Sequence, residues 1–575
     1  MGSLEASEPN AVELWGGVEC TRNRVGDRFL DQFDWNGHGR RLDDLDRFAS
    51  LGIRKLRHAL LWERIAPTGL GNADWAWADA SMERLRRLPI EPIVGFLHHG
   101  SGPRDTHLLD PGFPEKLAVF AEAVARRYPW VRYFTPVNEP LTTARFSALY
   151  GLWYPNATDD RSFLRALLLQ CRAVVLAMEA IHRHRPDAVL VQTEDLGTPL
   201  GSSLAAEQVA FERERRWLTW DLLLGRVDGG HPMVEYFRRA GIGAEEWSAF
   251  CDRPCAPGIV GVNHYVTSDR YLDHRVERYP ACFRGGNGKI RYADVEAVRV
   301  RGLFVPTVSD LLVEAHERYR IPVAVTEAHL GCTREEQCRW FVDVWREAER
   351  ARARGADIRG VTAWALLGSF DWNSLVTRSS GYYEAGAYDV RTGTPRATAL
   401  ATLLSALAKG EPVSHPALEQ PGWWHRPERW IHEAETAPDR SATPGMAPAQ
   451  LRTLVIVGEP GPILRVVARD AVARGPSVEI LETTALVAPS TKTWRKMLDR
   501  VGAWAVALVG PTEPDWAETL AAACAARRVP LVACSSARVF DGGSRGRYGE
   551  SADRDATGDE GRRWCEFEQR VVTAQ

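Results

Sequence analysis

The strongest constraint on the fold of this chain is an alternation of short apolar runs with amphipathic helical segments, which repeats eight times before residue 410. Several apolar runs are continuous and rich in β-branched residues, which is typical of parallel strands buried on both faces. The predicted strands cover residues 14–19, 54–60, 92–97, 131–134, 188–193, 259–263, 323–326 and 360–364. This pattern predicts an α/β chain whose main fold is a TIM (β/α)8 barrel. A doubly wound sheet would also alternate, but no glycine-rich phosphate turn follows the first strand.

The chain is longer than one hydrophobic core usually supports, because cores stop growing at roughly 250 to 300 residues and its length is 575. We predict that residues 1–410 form the barrel and that 411–450 form a linker rich in proline and tryptophan. Residues 451–575, where the apolar pattern restarts, are predicted to form a second, smaller and partial Rossmann-like α/β domain.

The charge balance argues against several classes of partner. Basic and acidic side chains number 72 and 75 and are spread along the chain, so the sequence predicts no nucleic acid and no anionic membrane partner. No stretch approaches the roughly 20 apolar residues of a membrane span, and residues 1–10 lack a basic segment followed by an apolar core. We therefore predict a cytoplasmic protein that acts on a small molecule, and the oligomeric state is left open.

The cysteines do not indicate a metal site. The ten cysteines are scattered, and Cys251 with Cys255 is the only close pair in the sequence. No second Cys or His pair lies at the spacing of a zinc site, so the sequence predicts no metal.

Two glutamates end predicted barrel strands. Glu139 follows the fourth strand in the run TPVNEP, and Glu327 ends the seventh in the run VAVTE. Functional groups of a TIM barrel lie at the carboxyl ends of its strands, so these two side chains are expected to face one pocket. A single acid at a strand end is as often solvated or a helix cap, but two acids in matching positions predict paired carboxylate chemistry.

The residues around both glutamates resemble glycoside hydrolase family 1, the retaining β-glycosidases. Asn138, Glu139 and Pro140 match the family's Asn-Glu-Pro motif, which carries the acid/base, and Thr326 with Glu327 matches the first half of its Thr-Glu-Asn-Gly nucleophile motif. The resemblance implies an enzyme that cleaves the O-glycosidic bond of a small glycoside by double displacement. Transfer of the sugar to another acceptor is left open beside hydrolysis.

Paired carboxyl groups suit this chemistry, because one must be protonated to assist the leaving oxygen while the other attacks the anomeric carbon. Ionised Glu327 is expected to raise the pKa of Glu139 by like-charge repulsion. Glu139 would then stay a proton donor until formation of the glycosyl ester removes that charge.

Other predicted strand ends resemble the family's sugar-binding positions. Arg57 stands where the family holds its nucleophile with an arginine, and Tyr265 where a phenol hydrogen-bonds that nucleophile. His98, with His99 as the other candidate, resembles a histidine that contacts sugar hydroxyls, and Asn138 is expected to bind the sugar 2-hydroxyl. A structural ion pair, a satisfied buried histidine, a turn-forming asparagine and simple loop packing are the alternatives that the sequence leaves open.

The run after the eighth strand, WALLGSFDW, resembles the family's Trp-Ser-Leu-x-Asp-Asn-Phe-Glu-Trp segment. The resemblance implies a ring platform at Trp364 and contacts to sugar hydroxyls from Asp371 and Trp372, with core packing as the alternative.

The sequence departs from the family pattern at three sites. Glu19 or Arg22 stands near the place of a strand-one glutamine that grips two hydroxyls, Asp371 replaces a glutamate, and Ala328 with His329 replaces Asn-Gly. In the family these positions recognise the non-reducing sugar, so the departures imply a deoxy or otherwise modified sugar rather than glucose or galactose.

The C-terminal residues resemble a different family. The run SSARVFDG at 535–542 and the run at 548–550 are similar to the middle of the dTDP-4-dehydrorhamnose reductases, which belong to the extended short-chain reductases. The phosphate turn at 458–464 contains two prolines and ends in leucine, and the reductase Tyr and Lys would fall near Glu560 and Trp564. We therefore predict no cofactor, disfavour NAD(P) in this part, and predict a non-catalytic module. A sugar-nucleotide oxidoreductase and a non-catalytic sugar-binding protein are kept as alternative functions.

Overall fold

The computed structural model describes residues 12–301 and 303–433, and in the C-terminal part 453–459, 464, 467–468, 471, 477–483, 490–509, 514–534 and 558–574. The chain divides into two compact units, one of residues 1–272 and 295–435, the other of residues 273–294 and 436–575. The predicted domain limits at 410 and 450 stay predictions.

The first unit is built on a closed barrel of eight parallel strands. Its strands are β1 (Glu13–Gly17), β2 (Lys55–Ala59), β3 (Glu91–His98), β4 (Tyr133–Asn138), β5 (Val189–Asp195), β6 (Ile259–Asn263), β7 (Val323–Ala328) and β8 (Ile358–Ala363). Each strand pairs with its neighbours in chain order, and β8 pairs with β1 to close the barrel. The predicted TIM barrel is confirmed.

Helices connect the strands of this unit, and side-chain caps fix several of their first turns. Asp159 accepts a hydrogen bond from the Ser162 N–H at the start of the longest helix, and Thr333 caps another helix in the same way. The helices are Gln32–Asn36, Asp44–Ser50, Trp62–Ile65, Ala76–Arg87, Phe113–Arg127, Pro140–Ala144, Asp160–His182, Ala206–Arg215, Leu218–Leu223, Val234–Arg239, Ala244–Asp252, Val308–Tyr319, Arg334–Ala353 and Ala399–Ala408. Short strands outside the barrel are Arg22–Val25, Arg28–Asp31, Pro199–Gly201, Arg270–Asp273, Arg284–Gly286, Arg291–Glu296, Val300–Arg301, Ser369–Phe370, Tyr383–Glu384, Tyr388–Asp389, Arg396–Ala397 and His432–Glu433.

Side chains fill the barrel interior. Trp15, Ile93, Val191 and Ala324 come from the alternate strands β1, β3, β5 and β7 and form one buried cluster. Gly360 of β8 leaves room for this cluster, because a Cβ atom there would lie 2.5 Å from the Trp15 Nε1 atom. This layer of the interior is therefore a packed core.

The segment 416–433 packs against the barrel unit. Trp424 is buried with its ring 5.1 Å from the Trp340 ring, and its Nε1 donates to Asp343 Oδ2 at 2.9 Å. Trp424 thus anchors a stretch in which the sequence shows no helical or strand periodicity.

The described part of the second unit contains a four-stranded parallel sheet. Its strands are β9 (Thr453–Gly458), β10 (Ser477–Glu482), β11 (Ala503–Val509) and β12 (Leu531–Cys534), in the spatial order β10-β9-β11-β12. Helices Thr491–Val501, Pro514–Arg527 and Asp559–Thr573 belong to this unit, whose core includes Trp494, Leu520 and Phe567. Most of the phosphate turn and both reductase-like runs lie outside the described residues.

In the part of the chain that the structure describes, no helix has the length and apolar content needed to cross a membrane.

Candidate active site

Glu139 and Glu327 lie at the carboxyl ends of β4 and β7, at the same edge of the barrel. Glu139 is the first residue after β4 and has a left-handed backbone with φ of 47°. Its N–H donates to the Thr193 carbonyl at 3.3 Å and its carbonyl accepts from the Thr143 N–H at 2.8 Å. A left-handed conformation is uncommon outside glycine, so these contacts and the following Pro140 hold the residue where its side chain can project from the strand end.

Two donors hold the Glu327 carboxylate. Arg57 Nη1 donates to Oε1 at 2.5 Å, and the Tyr265 hydroxyl donates to Oε2. Burial raises the pKa of Glu327, whereas Arg57 and Tyr265 act in the opposite direction by stabilising the charged form. Burial and the Glu327 charge also raise the pKa of Tyr265 well above its ordinary value, so its phenol stays a donor.

The Glu139 carboxyl has different surroundings. Asn263 Nδ2 donates to Oε1 at 2.6 Å, and His99 Nε2 lies 3.8 Å from Oε2. Burial lowers the pKa of His99 to about 3, so this imidazole is neutral. Burial, followed by the charges of Glu327, Glu194 and Asp195, raises the pKa of Glu139 well above its ordinary value. These surroundings favour a protonated Glu139.

One hydrogen-bond network joins the two strand ends. Asn263, which donates to the Glu139 carboxyl, accepts a hydrogen bond from Thr326 Oγ1 at 2.6 Å. Arg57, which holds the other carboxylate, also donates to Asn138 Oδ1 at 2.6 Å. Because Asn138 and Thr326 directly precede the two glutamates, the network fixes both side chains relative to one another.

Trp364 forms an aromatic wall beside this network. The His98 ring stacks on it with ring centroids 5.1 Å apart, and the Arg57 guanidinium carbon lies 4.6 Å from its ring centroid. Its Nε1 donates to Glu19 Oε2 at 3.3 Å. Gly17 permits this packing, because a Cβ atom there would lie 2.4 Å from the indole. Burial lowers the pKa of His98 well below its ordinary value, so this ring is neutral as well.

A cavity lies between these side chains and is lined by Arg57, His98, Asn138 and Trp364. It reaches into the barrel as far as Thr135. The structure therefore joins Arg57, Asn138 and Tyr265 to the hydrogen-bond network of the two glutamates. It places Trp364 against Arg57, with His98 stacked on Trp364.

Asp371 and Trp372 have other contacts. The Asp371 carboxylate accepts hydrogen bonds from the Ser380 hydroxyl and from the N–H groups of residues 380, 381 and 382, which lower its pKa. Both of its oxygens thus accept hydrogen bonds from residues 380–382, which does not favour sugar binding by Asp371. The sugar-binding role of Asp371 stays a prediction. Trp372 is half-buried, with its ring 5.7 Å from the ring of His99 and 6.2 Å from that of Trp153.

Two buried polar residues at the site, Glu194 and Asn263, are not named by the sequence-based predictions. Glu19 and His99, which those predictions mention only as alternatives, are buried there as well. The signal that could have found them is position, because each lies at or next to the carboxyl end of a barrel strand. None of the described residues forms a cluster of three or more His, Cys, Asp or Glu side chains suited to a metal ion.

A closed (β/α)8 barrel with two carboxyl groups of contrasting environment at its strand ends is an arrangement suited to glycoside hydrolysis. The glycosyl hydrolase family 1 model matches residues 32–384. The chain therefore belongs to glycosyl hydrolase family 1 and is a glycoside hydrolase, as the sequence predicts. Its features are consistent with a retaining β-glycosidase, and the alternative of a sugar-nucleotide oxidoreductase is not favoured.

Comparisons with individual proteins agree with this assignment. The chain is 25% identical over 419 residues to beta-glucosidase 47 of Arabidopsis thaliana. The aligned region covers 66% of this chain and 76% of the relative. It is 25% identical over 453 residues to beta-glucosidase 4 of Oryza sativa subsp. japonica, covering 70% and 91%. A solved structure of a family 1 β-glucosidase from Thermotoga maritima is similar in fold, with a TM-score of 0.56, 16% identity, and coverage of 71% of this chain and 99% of that one.

Proposed function

We propose that the barrel unit hydrolyses the β-glycosidic bond of a small glycoside with retention of configuration, with Glu139 as acid/base and Glu327 as nucleophile. The observation that carries this proposal is the contrast between the two carboxyl groups. Arg57 and Tyr265 favour charge on Glu327, whereas burial and nearby negative charges favour a proton on Glu139. A retaining mechanism requires this division of protonation states.

In the first step, Glu139 gives its proton to the glycosidic oxygen while a Glu327 oxygen attacks the anomeric carbon. The bond to the leaving group breaks and a glycosyl ester to Glu327 forms. The developing positive charge on the sugar is stabilised by the ionised carboxylate that attacks it.

In the second step, Glu139 takes a proton from water and the water oxygen attacks the anomeric carbon. The ester bond breaks and Glu327 leaves as a carboxylate. Formation of the ester has removed the Glu327 charge, which lowers the pKa of Glu139 and suits it to act as a base in this step.

Arg57 and Tyr265 are proposed to keep Glu327 aligned through both steps. Asn138, whose Oδ1 is occupied by Arg57 and Thr193, has its amide nitrogen 3.4 Å from His99 Nε2 and is proposed to donate to the sugar 2-hydroxyl. Trp364 with His98 is proposed to contact the sugar ring.

A modified sugar remains part of the proposal. Glu19, which stands near the place of the family's glutamine, accepts from the Thr21 N–H and from Trp364 Nε1, and the Asp371 oxygens are engaged by their own loop. Fewer groups are then left to hold hydroxyls than the family pattern provides, which supports a deoxy or otherwise altered sugar.

The test is turnover of a panel of 4-nitrophenyl β-glycosides that includes glucose, galactose and deoxy sugars, with the matching α-glycosides as controls. Release of nitrophenol from at least one β-glycoside, with the β anomer of the sugar appearing first by NMR, is expected. The α anomer appearing first would overturn retention. Equal turnover of plain and deoxy glycosides would count against the modified sugar.

For the second unit we propose a partial Rossmann-like module without catalytic function. The spatial order of its four parallel strands supports this reading, as does the absence of Tyr and Lys at the positions expected from the reductase pattern. NADPH oxidation on dTDP-4-keto sugars, together with no turnover of any glycoside, would reverse the ranking of the two functions. A cytoplasmic location is supported by ten cysteines that are all free.

A further inference from the structure

A second cleft borders the site and is rich in arginine. We call it the arginine cleft and define it by its charged lining residues, which are Arg145, Arg215, Arg216, Arg270, Asp195 and Glu212. Its cavity volume is about 40 Å3, which is room for a group of a few atoms such as a carboxylate.

The arginine cleft lies on the side of the proposed proton donor. Leu141, two residues after Glu139, is part of its lining, and Asp195 of the cleft contributes to the raised pKa of Glu139. Ser268, also in the lining, accepts from the Tyr265 N–H at 3.1 Å and donates to Asp195 at 2.5 Å. An acid/base must reach the leaving-group oxygen, so the leaving group of the substrate lies on the Glu139 side of the scissile bond.

The lining of the arginine cleft carries more positive than negative charge. Arg145 lies 3.7 Å from Asp195, and Arg215 lies 3.6 Å from Glu212. Arg216 pairs with Glu314 at 2.6 Å, and Arg270 lies 3.9 Å from Glu296, and neither of these two carboxylates lines the cleft.

Two of these guanidinium groups also have an N–H donor without a hydrogen-bond partner in the described part of the chain. The Nε atoms of Arg145 and Arg216 are buried and make no hydrogen bond within the described residues. A buried donor without a partner is costly, so the protein does not fully satisfy these two guanidinium groups within the residues that the structure describes. Planar guanidinium groups match the two oxygens of a carboxylate better than an ammonium does.

We propose that the arginine cleft binds a carboxylate carried by the leaving group of the substrate, so that the enzyme prefers glycosides of alcohols that carry a carboxylate. This inference rests on the proposed function, because it takes Glu139 as the group that faces the leaving oxygen.

The kinetic test compares 4-carboxyphenyl and 4-carbamoylphenyl β-glycosides of whichever sugar the nitrophenyl panel identifies. The two leaving groups have nearly the same shape and differ in charge. We expect kcat/KM to be about ten- to a hundredfold higher for the carboxylate, as charge-assisted hydrogen bonds give, and the ratio to shrink at high salt. Equal values for the two glycosides would overturn the proposal.

Variants connect the preference to the arginine cleft. Arg145→Gln and Arg216→Gln should each lower the ratio of the two kcat/KM values. The control Arg172→Gln removes an exposed arginine that pairs with Glu115 at 2.7 Å outside the cleft, and it should leave the ratio unchanged. A ratio that persists in both cleft variants would overturn the assignment, and either variant alone suffices if the other does not fold.

A binding measurement separates this proposal from the proposed function. Calorimetry of the full chain with 4-hydroxybenzoate and with 4-hydroxybenzamide tests the arginine cleft even if no glycoside is turned over. Binding of the carboxylate at least about tenfold tighter than that of the amide supports the proposal. Equal binding, or none, overturns it when turnover is absent.

Discussion

Glu139 and Glu327 are almost equally buried, with exposures of 4% and 2%, yet their surroundings differ in charge. Arg57 and Tyr265 both donate to Glu327, whereas Glu139 receives one amide hydrogen bond and lies near a neutral His99. Burial raises the pKa of both glutamates, so burial alone does not separate them. The charge and the donors of their neighbours separate two similar side chains into an acid and a nucleophile.

The most severe test of this contrast is Glu327→Gln, which removes the attacking oxygen and leaves the shape of the side chain. We expect kcat/KM to fall on the order of 10^4-fold or more, as when a nucleophile is removed. Steady-state rates on the best nitrophenyl glycoside measure this, with the exposed Glu83→Gln as a control that should retain activity. A loss below about 100-fold would mean that Glu327 does not form the ester.

Glu139→Gln should have a smaller effect that depends on the leaving group. Loss of the general acid is expected to cost about 10^2- to 10^4-fold for glycosides of weakly acidic alcohols. The loss should be far smaller for 2,4-dinitrophenyl glycosides, because such a leaving group departs without a proton. A series of aryl glycosides measures this dependence, and an equal loss across the series would contradict the acid role.

Tyr265→Phe should make the charged form of Glu327 less stable. One donor to Glu327 is lost, and we expect kcat/KM to fall about ten- to a hundredfold. Because the phenol lowers the pKa of Glu327, its removal should move the acidic limb of the pH profile to higher pH. Tyr128→Phe, which removes a hydroxyl that donates to Asp79, is the matched control and should leave the limb in place.

The sequence predicts the parts of this site that follow directly from a strand. The alternating pattern predicts the barrel, and Glu139 and Glu327 stand at the ends of predicted strands, where motif and position agree. These two predictions need only local information, whereas Arg57, in the middle of its strand, and Tyr265 are predicted from the resemblance to the family.

Features that depend on segments meeting in space escaped prediction. The Asp371 carboxylate is engaged by residues 380–382, a return of the chain that no local pattern announces. The arginine cleft likewise draws Arg145 from the segment after β4, Arg216 from the segment after β5, and Arg270 from the segment after β6.

The smallest predicted change to the pKa of Glu139 comes from Glu194. Its carboxylate accepts from the N–H groups of Leu141 and Thr142 at 2.8 and 3.1 Å and from the Thr219 hydroxyl at 2.7 Å. It therefore caps the turn that follows Glu139, and its negative charge raises the pKa of Glu139. Structural support and charge come from the same side chain, so a variant must separate them.

Glu194→Gln removes the charge, whereas Glu194→Asp keeps it on a shorter side chain. Loss of a like charge lowers the pKa of Glu139, so the basic limb of the kcat/KM profile should move to lower pH in Glu194→Gln, with the maximum reduced by less than about tenfold. The limb should stay in place in Glu194→Asp, even if the maximum falls because the turn is held less firmly. If both variants lose activity and neither limb moves, then Glu194 only supports the turn, and the Glu327 charge with burial suffices to keep the proton on Glu139.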